Sequence, residues 1–212
     1  NDLNSSSDYY HDYVKDAEGN LVDNGKGWEP IGENSSQKQF NGTFNGQGYT
    51  ISDLKIERSS EDDVGLFGYA SDATLQNLTL EATITGEYSV GALVGGATPD
   101  IHIENATTTN STSVTGTSSV GGLVGWIGES FGTILNCSTA GTVSGVSNVG
   151  GLVGSVMSST IENSSSSANI NAISSTDWNK CYGGLIGSSR GSTIIGCHSS
   201  GNVSIASNIL AN

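Results

Sequence analysis

The sequence predicts an all-β fold, a right-handed parallel β-helix of about six coils behind an N-terminal capping segment, and three recurrent elements carry that prediction. The first is a glycine box, Val120-Gly121-Gly122-Leu123-Val124-Gly125, with near-copies starting at Val64, Val90, Val149 and Tyr182. Intervals of 26, 30, 29 and 33 residues between boxes are the period of a solenoid. The second is a tetrad, Ile51-Ser52-Asp53-Leu54, Leu75-Gln76-Asn77-Leu78, Ile103-Glu104-Asn105-Ala106, Ile134-Leu135-Asn136-Cys137, Ile161-Glu162-Asn163-Ser164 and Ile194-Ile195-Gly196-Cys197. The third is one apolar residue between small polar ones, at Ile84, Val114, Val143, Ile170 and Val203.

Three short strands per period, each with one or two inward apolar residues, stack with their equivalents one coil away. A propeller blade needs four strands over roughly 40 residues, so these periods are too short for it. Thirty Gly and only two Pro, among abundant Ser, Thr and Asn, favour strands and tight turns over helices. Boundaries follow: a cap over residues 1–39 and repeats over 40–212.

The cap carries Asp2, Asp8, Asp12, Asp16, Glu18 and Asp23 among Tyr9, Tyr10, Tyr13 and Trp28. A non-repeating segment there covers the open strand edges of the first coil. The spacing of the aspartates fits no calcium-loop pattern, so a solvated acidic face is preferred over a calcium site in the acidic cap. Otherwise no cofactor and no metal are expected. At the other end, Ile209 and Leu210 begin a further coil, which leads us to expect that the native chain continues, with end-to-end self-association as the competing reading.

In each tetrad the Asn occupies a corner, where it tolerates the left-handed conformation and its amide can bond the equivalent amide one coil away. Asn77, Asn105, Asn136 and Asn163 are thus expected to form a structural ladder on the inward side of the corner, with Asp53 and Gly196 replacing Asn at its two ends. Cys137 and Cys197 fall in the next column with Leu54, Leu78, Ala106 and Ser164. Two coils separate them by roughly 9.6 Å, too far for a disulfide, so they read as small buried thiols. Cys181 makes the count odd.

Seven Lys plus Arg against 21 Asp plus Glu, a net charge of −14, argue against nucleic acid and anionic membrane surfaces as partners. No apolar segment is long enough to insert into a bilayer, and no signal peptide is present in this sequence. No Lys or Arg lies between Arg58 and Lys180, so the middle of the chain has no cationic clamp for phosphate or uronate.

The glycine boxes, the tetrad Ile134-Leu135-Asn136-Cys137 with Gly141-Thr142-Val143-Ser144-Gly145 behind it, and the lead-in from Trp28 to Ile51 together resemble the GLUG-motif proteins. The match covers roughly residues 28–208, with Ala92 standing for the motif's first Gly and Tyr182 for Val. The resemblance implies an extracellular module, secreted or on a microbial, bacterial-type cell surface, of the adhesin or spacer kind. GLUG repeats also occur in IgA-specific metallopeptidases, but the zinc-binding His-Glu-x-x-His motif is absent: His11, His102 and His198 stand alone, and no peptidase activity carries over.

No catalytic residues are expected. A carbohydrate-active β-helix enzyme is the alternative by analogy of fold, and it would need clustered carboxylates. Glu104 and Glu162 share an outward column, but Leu135 lies between them. Threonine columns (Thr83, Thr85, Ser113, Thr115, Thr142, Ser144, and Thr50, Thr74, Thr133, Thr160, Thr193) read as solvent-facing strand residues rather than an ice-binding face. Nine Asn-x-Ser/Thr triplets occur, at Asn4, Asn34, Asn41, Asn77, Asn105, Asn110, Asn136, Asn163 and Asn202, and those on the ladder are read as inward-facing and unglycosylated. Candidate ligand-binding residues are the aromatics on two insertions, Trp178 with Asp177, and Trp126 with Phe131. A flat ring on a loop stacks on a sugar or fills a protein pocket, so the expected partner is a host or surface glycan or protein.

Overall fold

The structure, a computed structural model, describes residues 25–128, 131–173 and 180–206. These residues form a β-solenoid of about five turns, in which every strand-to-strand pairing is parallel. None of the described residues forms an α-helix, and no helix is long and apolar enough to cross a membrane.

Three apolar columns run the length of the stack. The box column pairs Val64, Val90, Val120, Val149 and Tyr182 in order. The tetrad column pairs Phe44, Leu75, Ile103, Ile134, Ile161 and Ile194. The third pairs Ile56, Ile84, Val114, Val143, Ile170 and Val203. Six passes of the tetrad strand enclose five turns, which reconciles the count of about six coils with the five turns seen. Inner members of these columns are fully buried, so the core is a stack of aliphatic rungs.

The three glycines of a box have three different steric reasons. A Cβ on Gly121 would stand 2.0 Å from the carbonyl oxygen of Val124, so the first glycine allows the box to turn back on itself. On Gly151 it would stand 2.1 Å from the carbonyl oxygen of Gly184, so the second lets the next coil approach. On Gly125 it would stand 2.3 Å from the backbone nitrogen of Val90, so the third admits the preceding coil.

Among the described residues, sharp corners in the left-handed region recur at three places in the repeat. One is the tetrad corner, at Asn77, Asn105, Asn136 and Asn163 (φ 49 to 57°). A second precedes the box, at Asp63, Ser89, Ser119 and Asn148, and a third lies at Asp72, Asp100 and Ser158. All are residues whose short polar side chains make this conformation tolerable. The second and third sets escaped the sequence reading, although a small polar residue stands directly before four of the five boxes.

The first coil consists of β1 (Thr43–Glu57), followed by β2 (Phe67–Ala70) and β3 (Thr74–Thr85) in the next. Here the register differs from expectation. Phe44 and Asn45 pair with Leu75 and Gln76, while Ile51 pairs with Leu80 and Leu54 with Ala82. The first tetrad position therefore falls at Phe44-Asn45, not Ile51–Leu54. Asn45, though opposite Gln76 in the register, accepts the Asn77 amide and so ends the ladder where Asp53 was expected to, Leu54 leaves the cysteine column, and Thr43 rather than Thr50 heads the threonine column. The cause is two register shifts in β1, between Asn45 and Tyr49 and between Ile51 and Leu54, which spacing along the chain cannot reveal.

The described part of the N-terminal segment bridges to both β1 and β2. Ile31 and Phe40 bridge to Phe67 and Ala70, and Gly27 bridges antiparallel to Ile56. Phe67 meets Phe40 at 4.6 Å and Phe44 at 5.4 Å between ring centres, closing this end of the core with an aromatic cluster. The acidic residues weighed and disfavoured as a calcium site lie before residue 25, outside the described residues, as do Ile209 and Leu210, where a further coil was expected to begin.

Cys137 is buried, Cys197 half-buried and Cys181 exposed, all as free thiols. The Cys137 Sγ lies 3.2 Å from the Leu135 carbonyl oxygen, and burial pushes this thiol up to about 11.

Candidate functional site

The exterior is built of outward residues alternating with the buried rungs, so any site must lie where that regularity breaks. It breaks most in β1. Between Asn45 and Tyr49 the strand advances four residues while β3 advances two, and Gln47 (φ 54°) and Gly48 (φ 78°) loop outward in the left-handed region. The bulge leaves Tyr49 71% exposed. It also opens a groove of about 330 Å³ lined by Phe44, Asn45, Gln47, Tyr49, Thr50 and Ile51.

The tetrad corner feeds this groove. Asn105 Nδ2 donates to Asn77 Oδ1 at 3.1 Å, and Asn77 Nδ2 donates to Asn45 Oδ1 at 3.2 Å. Asn45 Oδ1 accepts a second bond from the Gln47 backbone N–H at 2.9 Å. The ladder is thus real over Asn105, Asn77 and Asn45, but stops there. Asn163 donates to Glu162 instead, and Asn136 makes no amide-to-amide bond among the described residues. Nor does the ladder face inward as expected: Asn77 is half-buried and Asn105, Asn136 and Asn163 are exposed. A left-handed residue at a convex corner points its side chain away from the core, so the Asn-x-Ser/Thr triplets on the ladder lie at the surface.

The second bulge, at Ser52 and Asp53, borders a cavity of about 350 Å³ lined by Asp53, Lys55, Glu81, Thr83 and Ser111. Lys55 is paired with Glu57 at 3.3 Å.

A third recess, of about 430 Å³, lies where the N-terminal segment meets the first coil, lined by Glu29, Glu33, Arg58, Glu61, Asp62 and Asp63 among others. Its chemistry is that of a joint. Buried Arg58 binds Glu61 at 3.1 Å and the Trp28 carbonyl oxygen at 3.3 Å, and Lys26 binds Glu61 at 2.7 Å. Burial pushes Glu61 upward, but the bonds and charges of Lys26 and Arg58 hold it below the ordinary carboxylate value. Burial carries Asp63 up to about 6, against hydrogen bonds from Asn34 and Ser89 and with neighbouring Asp62 adding to the rise. Asp63 so links three successive layers of the stack.

Of the residues proposed as ligand-binding, Trp178 and Asp177 lie outside the described residues. Trp126 is half-buried, paired with Gly96 below and Ser155 above, its ring edge lying over Gly128. Phe131 is 84% exposed and Tyr88 46%. Tyr49 was not singled out by the sequence reading, whose register placed it before the first tetrad. Its one signal was the run Asn45-Gly46-Gln47-Gly48, two glycines too many for a plain strand. Glu104, Leu135 and Glu162 do share one column, in that order, with His102 Nε2 at 3.6 Å from Glu104 Oε2. Among the described residues no group of three or more His, Cys, Asp and Glu is placed to hold a metal ion.

Box, ladder corner and third strand define a class, the glycine-box β-solenoid. Within it, residues 145–171, one full set of these elements from Gly145 to Asn171, match the GLUG motif, and the chain is a GLUG-repeat protein. It is 44% identical over 104 residues to halomucin of Haloquadratum walsbyi, a match covering 48% of this chain and 1% of that protein. It is 38% identical over 78 residues to a protein described as a Gly-rich membrane protein of Evansella cellulosilytica, covering 35% of this chain and 8% of the relative. The chain therefore spans a small fraction of the length of the relatives it matches. No solved structure matches it. The repeat marks the chain as a β-solenoid module.

Proposed function

We propose that the chain is a non-catalytic module of a secreted or cell-surface protein, a rigid rod that holds ligand-binding loops and grooves away from the surface. The observation that supports this most is the ratio of lengths: similarity confined to 1% and 8% of two relatives is what a repeated module in a long extended protein shows. The fold suits the task, because length grows by about 4.8 Å per coil without altering the core. Adhesion to a glycan or protein is the finer reading, supported by the exposed aromatic residues Phe131, Tyr88 and Tyr49. Catalysis is disfavoured on chemical grounds: Leu135 fills the space between Glu104 and Glu162, where a sugar and its water would have to sit. The net charge of −14 likewise weighs against nucleic acid.

Antibodies against the purified chain test this directly. They are expected to label intact cells of the source organism, or its culture medium, without permeabilisation. Labelling only after permeabilisation would contradict the surface reading.

A second reading, end-to-end association, is supported by the last described coil. Ile194, Val203 and Ile205 are about half exposed, whereas Ile161 and Ile170, directly beneath the first two, are fully buried. Light scattering that stays monomeric across a hundredfold concentration range would count against it.

A further inference from the structure

We propose that the groove at the first bulge of β1 is a binding site for a neutral saccharide, with the Tyr49 ring as stacking platform and the Asn45 amide as fixed donor. The proposal rests on the reading of the chain as a ligand-presenting surface module, and names the ligand class for one of its grooves.

The donor is set by the ladder. Both bonds to Asn45 fall on its Oδ1, one from Asn77 Nδ2 and one from the Gln47 backbone N–H. Its carboxamide is thereby locked in one orientation, and its Nδ2 has no acceptor among the described residues. The three amides point the same way, Asn105 to Asn77 to Asn45, so each bond polarises the next and the last N–H group is the strongest donor of the row. A preorganised donor of this kind loses little freedom on binding.

The platform is set by the bulge. Tyr49 stands 71% exposed in an unbroken exposed run from Gln47 to Thr50, beside Gln47 and Gly48 in the left-handed region. Gly46 is obligatory beneath it, since a Cβ there would lie 2.5 Å from the Leu78 Cβ. A rigid aromatic face beside polar groups takes a ligand that is apolar on one side and oxygen-rich at its edge. A sugar ring is such a ligand, its C–H face on the tyrosine and its hydroxyl oxygens toward Asn45, Gln47 and Thr50. The groove, at about 330 Å³, lies at the lower end of the range for small-molecule sites, the size of one or two rings.

Charge narrows the class. No Lys or Arg lines the groove, and the chain carries −14 overall, so a uronate or sulfated sugar would be repelled.

The test is a titration of the 15N-labelled chain with cellotetraose, maltotetraose, chitotetraose, mannotetraose and lactose, with oligogalacturonate as the anionic control, reading the Asn45 side-chain amide and the Tyr49 ring. At least one neutral sugar should shift both signals saturably, and oligogalacturonate should not. Tyr49→Ala should weaken binding by roughly tenfold or more, the loss expected of a stacking anchor. Tyr49→Phe should retain most of it. Asn77→Gly, which keeps the backbone conformation but cuts the row of amides, should weaken binding severalfold while leaving the Tyr49 ring contacts in place. Thermal melts of each variant separate these effects from loss of fold. Silence with every neutral sugar, stronger binding of oligogalacturonate, or binding indifferent to Tyr49→Ala would each overturn the assignment. Any of these leaves surface labelling of intact cells as the independent judge of the module reading.

Discussion

The Cβ position of Gly121 lies 2.0 Å from the carbonyl oxygen of Val124, and the equivalent pairs Gly91 with Val94, Gly150 with Val153 and Gly183 with Ile186 repeat the relationship at 2.0 to 2.4 Å. The partner is backbone in every case, so nothing can rotate away. Gly121→Ala is therefore expected to destabilise the chain by about 2–3 kcal/mol in urea or thermal unfolding. Ala92→Gly, one residue further along the box, should cost only about 1 kcal/mol, as a lost buried methyl and a freer unfolded chain predict. Equal effects would mean that the box is not closed by this contact.

The ladder makes a second, graded prediction. Gly keeps the left-handed corner but removes the amide, so Asn105→Gly should cost on the order of 1 kcal/mol, the net value of a hydrogen bond. Asn136→Gly, at a corner without an amide-to-amide bond, should be within about 0.5 kcal/mol of neutral. Chemical denaturation of the two variants checks the difference.

Asp63 should leave a signature in the pH dependence of stability. Its folded value of about 6 exceeds the ordinary 3.8, so between the two the folded chain binds more protons than the unfolded one. Stability from this group is present below about 4 and declines as pH rises to about 6. Asp63→Asn keeps the left-handed corner and should flatten that decline, by on the order of 1 kcal/mol once partial exposure is discounted. Glu61 has the opposite sign: its value is lowered, so its contribution is present above the ordinary range and disappears as acid protonates it.

The thiols should separate by rate. Cys181 is exposed, while Cys137 is buried with its thiol raised to about 11. Labelling with a maleimide at pH 7.5 should modify Cys181 at least about a hundredfold faster, with Cys137 reacting only on unfolding.

Much of this architecture was legible because its signals are periodic. Val120 and Val149 share a box spelling, Ile134 and Ile161 share a tetrad, and equal spacing placed each in the right column. Departures from the period were not legible. Two register shifts hid inside β1, so Asp53 was given the ladder end that Asn45 takes, and Tyr49 went unnoticed although it stands at the wider of the two shifts. The direction of the ladder was also misjudged. Spacing shows that Asn105 and Asn136 share a corner, but only the backbone shows that a left-handed corner turns its side chain outward. The position of Trp126 between Gly96 and Ser155, which half-buries it, depends on neighbours 30 and 29 residues away that no local pattern reveals.

Spin-label distances along one column measure the coil-by-coil register of the stack directly. In a chain with its three cysteines replaced, nitroxide pairs at Thr43 and Thr193, five pairings apart, should lie roughly 24 Å apart along the stack, and pairs at Thr74 and Thr193 roughly 19 Å, one coil less. Two narrow distributions separated by about one strand spacing would bear out the stack. Broad or reversed distances would contradict it.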